Sequence, residues 1–442
     1  MRSKSIKRLL VCGALSFALC FAAAGCVTTN GRDGVDGKDL NIYDIYAAVK
    51  AETANDDLTF DEFLREYLSY TPSDIEEAVS IQKSVNKSLL SGVAVRSSFI
   101  ERVSGVTVRN TYSGSGIILD IDRQNGDMTV VTNCHVVYSA KANFGEQDGY
   151  CDDVSVWLYG SEFLNATAIS AKVVAASKTY DTAILKIEGS EQVKRSKFGE
   201  AAKWRSDEET YLGETVYAIG NANGEKLSAN LGYISKDLDL VYVNLGTDSV
   251  PEQYYYNVLR TSATINSGNS GGGLYNIGGE VVGLVNAKGR AESVGVGYAL
   301  PASAIKRVAA SMIERYAQTG EEEHGVNVVK HGVETEITDS YSTGLNDKGF
   351  AEIIEEVTVK SVAFGKTLGT VERGDIIKRI RILRNDGGGE RAVEDMPVKR
   401  EHNFKDVMLA VRAGDAVEFT LLRNGKEIVR KVTYLEDDFQ LI

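Results

Sequence analysis

The chain has 442 residues, 43% hydrophobic and 25% charged, an ordinary globular composition with room for roughly two to three domains. Its 62 acidic residues outnumber 49 basic ones, for a net charge of −13. That balance excludes nucleic acid as a partner, because phosphate binding needs clustered Lys and Arg.

The first segment, "MRSKSIKRLL", is basic, the next, "VCGALSFALCFAAAG", is apolar, and Cys26 follows small residues. Residues 1–25 therefore read as a signal peptide, to be set aside from the fold. The stretch "AAGC" also resembles a bacterial lipoprotein signal, which implies lipidation of Cys26 as the new first residue. Ala23 stands where that motif usually has Leu. An ordinary secretory signal cut elsewhere is the alternative. A membrane-spanning helix fits less well, since the apolar run falls short of the ~20 residues a span needs. Without the signal the chain loses Arg2, Lys4, Lys7 and Arg8 and no acid, leaving −17. Cys12 and Cys20 leave with it, so Cys134 and Cys151 are the thiols in a compartment where disulfides can form. Spacing alone leaves their pairing open.

Residues 26–40 carry Gly31, Gly34 and Gly37 among charges and read as a flexible tether. A calcium loop is excluded there, because the twelfth position from Asp33 is Asp44 rather than Glu. Over 41–90, Ile42, Ile45, Tyr46 and Val49, then Phe60, Phe63, Leu64, Tyr67 and Leu68, recur at helical spacing and predict short helices. From Val93 the period becomes that of strands, in "GVAVRSS", "SGIILDID", "MTVVTNCHVV" and "DTAILKI". Strands persist to about residue 300, the pattern of an all-β barrel assembly. One helix is expected over 302–318, with Ile305, Val308, Ala309, Met312, Ile313 and Tyr316 on one face. The acidic stretch "TGEEEHG" (319–325) reads as a linker. A smaller domain follows over 325–436, with strands near 350–359, "GDIIKRIRILRN", a helix around "NFKDVMLAVRA" and a hairpin turning at Asn424-Gly425.

The segment "TINSGNSGGGLY" sets Ser270 among glycines. A serine hydroxyl becomes a nucleophile only when a base takes its proton and a third group orients that base. Imidazole is the usual base. Of the four histidines, His324, His331 and His402 lie in polar settings that suit solvated side chains, whereas His135 ends a strand inside the β region. Asp181, just before the strand "TAILKI", is the candidate orienting acid, although alone it would read as a turn aspartate. The amides of Gly268 and Ser270 could together hold a developing oxyanion. "GNSGG" also fits the G-x-S-x-G elbow of α/β-hydrolases, but that fold needs helices between strands and a histidine after the serine. A phosphate-cradling loop lacks its Lys.

With "SGSGIIL", "TNCHVV", "YDTAILKI", "VYAIGN", "ATINSGNSGGGLYNIGGEVVGLV" and "VGYALPASAI", the chain resembles the trypsin-like barrels of the HtrA/Deg serine proteases. "GFAEIIEEV", "VERGDIIKRI" and the closing hairpin resemble a PDZ domain. The likeness implies a mainly β chain: a double six-stranded β-barrel over 91–320, then a PDZ domain over 325–436. It implies His135 as base, Asp181 as its partner, Ser270 as nucleophile, and a small apolar specificity pocket walled by Thr264, Ile265, Leu284 and Val285. It further implies an ATP-independent endopeptidase without metal or cofactor, acting on misfolded or exported polypeptides at the outer face of a bacterial membrane, as a homotrimer. In the PDZ domain, "GFAEIIEEV" is the expected peptide-binding strand for C-terminal peptides, with a carboxylate nest at His324–Asn327 or Leu345–Gly349. A PDZ-based chaperone or sensor with weak proteolysis is the second reading.

Overall fold

The structure, a computed structural model, describes residues 72–442 apart from 146–147, 162–166, 198, 206–209, 248–249, 289–294, 347–348 and 386, together with 46–47, 49–51, 57–60 and 62. The signal, Cys26 and the tether lie outside the described residues. So do Ile42, Ile45, Phe63, Leu64, Tyr67 and Leu68, while 46–47 and 49–51 are helical. Helix α1 (Pro72–Leu89) precedes the strands.

Six strands then close a first barrel: β1 (Gly92–Val103), β2 (Val106–Asp122), β3 (Asp127–Thr132), β4 (Asp153–Leu158), β5 (Ile169–Ser177) and β6 (Thr182–Ile187). Their order is β5-β4-β1-β2-β3-β6, and β5 pairs with β6 to complete the ring. Helix α2 (Cys134–Val137) is a single turn leaving β3. The second barrel uses β7 (Lys203–Trp204), β8 (Thr215–Gly220), β9 (Ser228–Asn244), β10 (Gln253–Thr261), β11 (Gly273–Asn276), β12 (Glu280–Lys288) and β13 (Gly297–Pro301). Here the order is β11-β8-β9-β10-β13-β12, closed by β11 on β12, with β7 appended to β12. The expected pair of six-stranded barrels is therefore present. Each barrel has its own interior: Val93, Ile118, Val130 and Leu185 in the first, Val216, Ile234, Leu274 and Val285 in the second. A third cluster joins Ile117, Val131 and Ile184 to Tyr217, Tyr256 and Leu284. It welds the barrels together, each such side chain contributing about 1.5–3 kcal/mol by leaving water.

Helix α3 (Ala302–Thr319) buries Ile305, Val308, Ala309 and Met312, as its periodicity predicts, and stops at Gly320, whose φ of 68° admits a left-handed cap. The segment expected as a linker is partly strand: β14 (Glu323–His324) pairs parallel with Ala175 and Ala176 of β5. The second domain holds β15 (Asn327–Val329), β16 (Val333–Leu345), β17 (Ala351–Val362), β18 (Ile376–Asn385), β19 (Glu390–Pro397), helix α4 (Glu401–Met408), β20 (Ala416–Arg423), β21 (Lys426–Thr433) and β22 (Phe439–Leu441). Its main sheet runs β16-β17-β18-β20-β21, with β19 on β18. Phe404 and Val407 of α4 pack against Val357, Ile380 and Phe419. The hairpin turns where expected, with Asn424 and Gly425 at φ 51° and 74°, the positive angles of a tight turn.

Three contacts tie this domain to α3. Arg307 pairs with Glu394 at 2.9 Å, Ser303 donates to Asp406 at 2.8 Å, and Arg412 pairs with Glu314 at 2.6 Å.

Candidate active site

Strand register brings His135 to Asp181. Thr132, the last residue of β3, lies opposite Ala183 near the start of β6, so the residues just after β3 stand beside those just before β6. Asp181 occupies the β5–β6 turn at φ +42°, and Asn133 Nδ2 donates to its carbonyl at 2.9 Å. The carboxylate is fully buried. Its Oδ1 accepts the His135 backbone N–H at 2.9 Å, and its Oδ2 meets His135 Nδ1 at 2.7 Å. Asn286 Nδ2 also donates to Oδ2.

A carboxylate partner places the imidazole proton on Nδ1 and leaves Nε2 with its lone pair. Burial works against protonation of His135, but the charge and hydrogen bond of Asp181 outweigh it and raise the imidazole above its ordinary pKa.

Ser270 sits across the seam, in the loop leading to β11. Its carbonyl accepts the Ser115 N–H at 2.9 Å, fastening the loop to β2. Its Oγ donates to the Asn286 carbonyl at 2.9 Å. The loop before it is braced from both sides. Ser115 Oγ donates to the Gly268 carbonyl at 2.7 Å, and the Ser267 carbonyl accepts from Asn223 N–H at 2.6 Å. In a planar trans peptide the C=O and N–H point in opposite directions. Holding Ser267 O toward Asn223 therefore turns the Gly268 N–H the other way, as an anion donor requires.

Gly268 has φ +93°, and a Cβ there would lie 2.2 Å from the Asn221 carbonyl. The glycines after Ser270 have a different reason: a Cβ on Gly271 would meet Ser115 O and Thr132 Oγ1 at 2.2 Å. Gly271 thus lets the loop pass close under β2, and Gly272, whose Cβ would lie 2.1 Å from the Ile219 carbonyl, lets it pass close to β8.

The four residues expected to wall a specificity pocket divide. Thr264 is exposed and Ile265 is nearly buried. Leu284 and Val285 are completely buried, Leu284 between the barrels and Val285 inside the second. Their side chains present no surface to a substrate, a departure from the expectation. Asn286, next along β12, was not anticipated from the sequence. A lone amide ending the apolar run "VVGLVNA" is the signal that could have found it. Cys134 is fully buried and Cys151 half-buried, and both are free thiols. Burial pushes Cys151 up to about 12 and raises Cys134 well above its usual value, so both stay protonated. Among the described residues no group of three or more His, Cys, Asp or Glu could hold a metal ion.

Residues 114–284 match the family described as "Trypsin-like peptidase domain", a span that contains His135, Asp181 and Ser270. "Serine protease Do-like HtrA" of Bacillus subtilis is 29% identical over 76% of this chain and 67% of its own length. Its namesake in Lactobacillus helveticus is 26% identical over 73% of this chain and 68% of its own. "Periplasmic pH-dependent serine endoprotease DegQ" of Escherichia coli is 26% identical, with 72% of this chain and 58% of that protein aligned. A solved structure, "HtrA-type protease AlgW with tripeptide", superposes with TM-score 0.49 at 20% identity over 80% of this chain and 96% of that one. The chain is a serine endopeptidase with a trypsin-like peptidase domain, a homologue of the HtrA/Deg proteases.

Proposed function

We propose that the chain is an ATP-independent endopeptidase, tethered to the outer face of a bacterial membrane, that degrades misfolded or exported polypeptides with His135, Asp181 and Ser270. The observation that carries this reading is the 2.7 Å contact between His135 Nδ1 and Asp181 Oδ2. In the proposed mechanism Ser270 Oγ swings from the Asn286 carbonyl to His135 Nε2. It gives up its proton and attacks the scissile carbonyl. The N–H groups of Gly268 and Ser270 receive the resulting oxyanion, a donor of this kind being worth about 2.7–4 kcal/mol. His135 then returns the proton to the leaving amine, and Asp181 stabilises the transient imidazolium. Ile265, with Thr264 at the rim, favours a small aliphatic side chain before the cut.

The tether is a lipid on Cys26; among the described residues no helix is long and apolar enough to cross a membrane. Residues 325–436 act as a PDZ domain that senses peptides, and the assembly is a homotrimer. The Ser270 to Asn286 contact favours a second reading, a chaperone or sensor whose resting protease is weak.

A fluorophosphonate probe should label Ser270 in purified protein, and Ser270→Ala should abolish both labelling and casein cleavage with the fold intact. Retention of more than a few per cent of cleavage overturns the nucleophile assignment. Labelling without cleavage favours the second reading.

A further inference from the structure

The first strand of the second domain is paired with its last. β15 and β22 form a two-stranded antiparallel sheet of their own, Asn327 opposite Leu441 and Val329 opposite Phe439. Val326 and Ile442 exchange both backbone hydrogen bonds, at 2.8 and 3.0 Å, and Lys330 N–H donates to the Asp438 carbonyl at 2.7 Å. An extended segment added to a strand edge is also how sheet edges bind peptides. This segment is lightly held. It is three residues of strand, and Leu441 and Ile442 keep 50% and 38% of their surface in water, so apart from Phe439, which packs half-buried against the second domain's core, little apolar burial opposes its release.

Beside it lies a cavity of about 500 Å³, room for several side chains of a peptide. Val328 and Val333 line one wall, Met408 and Leu409 at the end of α4 another, and Gln440 and Ile442 stand at its margin. Tyr180 closes the protease side, and it is the residue before Asp181. The strand expected from the sequence to bind peptides, 349–357, is engaged instead. β17 pairs along its length with β16, and on its other side Glu355 N–H donates to the Lys399 carbonyl at 2.8 Å.

We propose that the edge of β15 and this cavity form the site for an extended apolar polypeptide segment, and that residues 439–442 are its internal occupant, displaced when an outside segment binds. The inference rests on reading residues 325–436 as a peptide sensor, and it says where the sensing takes place. An incoming side chain in the cavity would touch Tyr180 and so reach the turn that holds Asp181.

Asn327 and Leu441 are an opposed pair of the kind without hydrogen bonds, where side chains come closest. The variant Asn327→Cys/Leu441→Cys, in a Ser270→Ala full-length background, can lock the segment by oxidation and free it by reduction. Binding of a fluorescent peptide of sequence YLEDDFQLI is read by anisotropy. The reduced form should bind at least tenfold more tightly than the oxidised form, and deletion of 439–442 should bind at least as tightly as the reduced form. Equal affinity in both redox states, or no binding to any form, overturns the proposal. Cleavage assays with active protein separate the two ideas. Stimulation by C-terminal peptides that persists in the locked form retains the sensor reading and sinks this one. Lock-sensitive binding without any change in rate does the reverse.

Discussion

Asn286 and Asp181 meet across the seam between the two barrels, the amide Nδ2 of one on the carboxylate Oδ2 of the other. The same Asn286 receives the Ser270 hydroxyl on its carbonyl, so one residue of β12 touches two members of the proposed triad. Hydrogen bonds to charged groups contribute about 1.5–3 kcal/mol. Asn286→Ala should therefore lower kcat/KM by roughly 10- to 100-fold through loss of Asp181 alignment. The backbone carbonyl survives the change, so fluorophosphonate labelling should slow rather than vanish. An unchanged kcat/KM would show that Asp181 is held well enough without it.

His135 must be unprotonated to act as a base. Its pKa is raised because Asp181 outweighs the effect of burial, so protonation begins at higher pH than in free imidazole. The rate should fall as pH drops, with the midpoint above the ordinary value of about 6.5. Asp181→Asn removes the charge that raises it. The midpoint should move to lower pH, and kcat should fall by about 10⁴-fold as the imidazole loses its tautomer and orientation. A wild-type midpoint below pH 6 would contradict the coupling.

Gly268 carries both a left-handed backbone and a contact no Cβ could share. Gly268→Ala should displace the loop from Asn221 and misaim one oxyanion donor. The expected loss is about 10²–10³ in kcat with little change in KM. Steady-state kinetics on a small peptide substrate separates the two terms; a change confined to KM would place the loop in ground-state binding instead.

Cys26→Ser should move the protein from the membrane fraction to the soluble fraction. One acyl chain anchors only marginally, so mass spectrometry of the native protein should find more than one on Cys26. Unchanged membrane retention in the variant points to an uncleaved apolar segment.

Much of this was legible in the chain because the informative residues are rare types in telling places. A histidine ending an apolar strand, an aspartate opening one and a serine in a glycine loop stand out wherever the strands run. Asn286 did not, since its work depends on two barrels facing each other. Leu284 and Val285 failed for a related reason. An apolar residue in a strand can serve either face, and only register decides; here both faces of β12 are core. The strands β14 and β22 escaped because their partners lie far off in sequence, Ala175 for Glu323 and Asn327 for Leu441. The acidic composition of "TGEEEHG" argues for a linker whatever that linker happens to rest on.

The seating of Glu323 and His324 on β5 bears on how the protein can be divided. His324 also stacks on Tyr150 at 3.6 Å, so the join covers an edge of the first barrel as well as leading away from it. A protease fragment ended before Glu323 would bare the backbone of Ala175 and Ala176. Uncovered strand edges recruit other chains. Such fragments should self-associate as concentration rises, whereas fragments carried through His324 should stay dispersed.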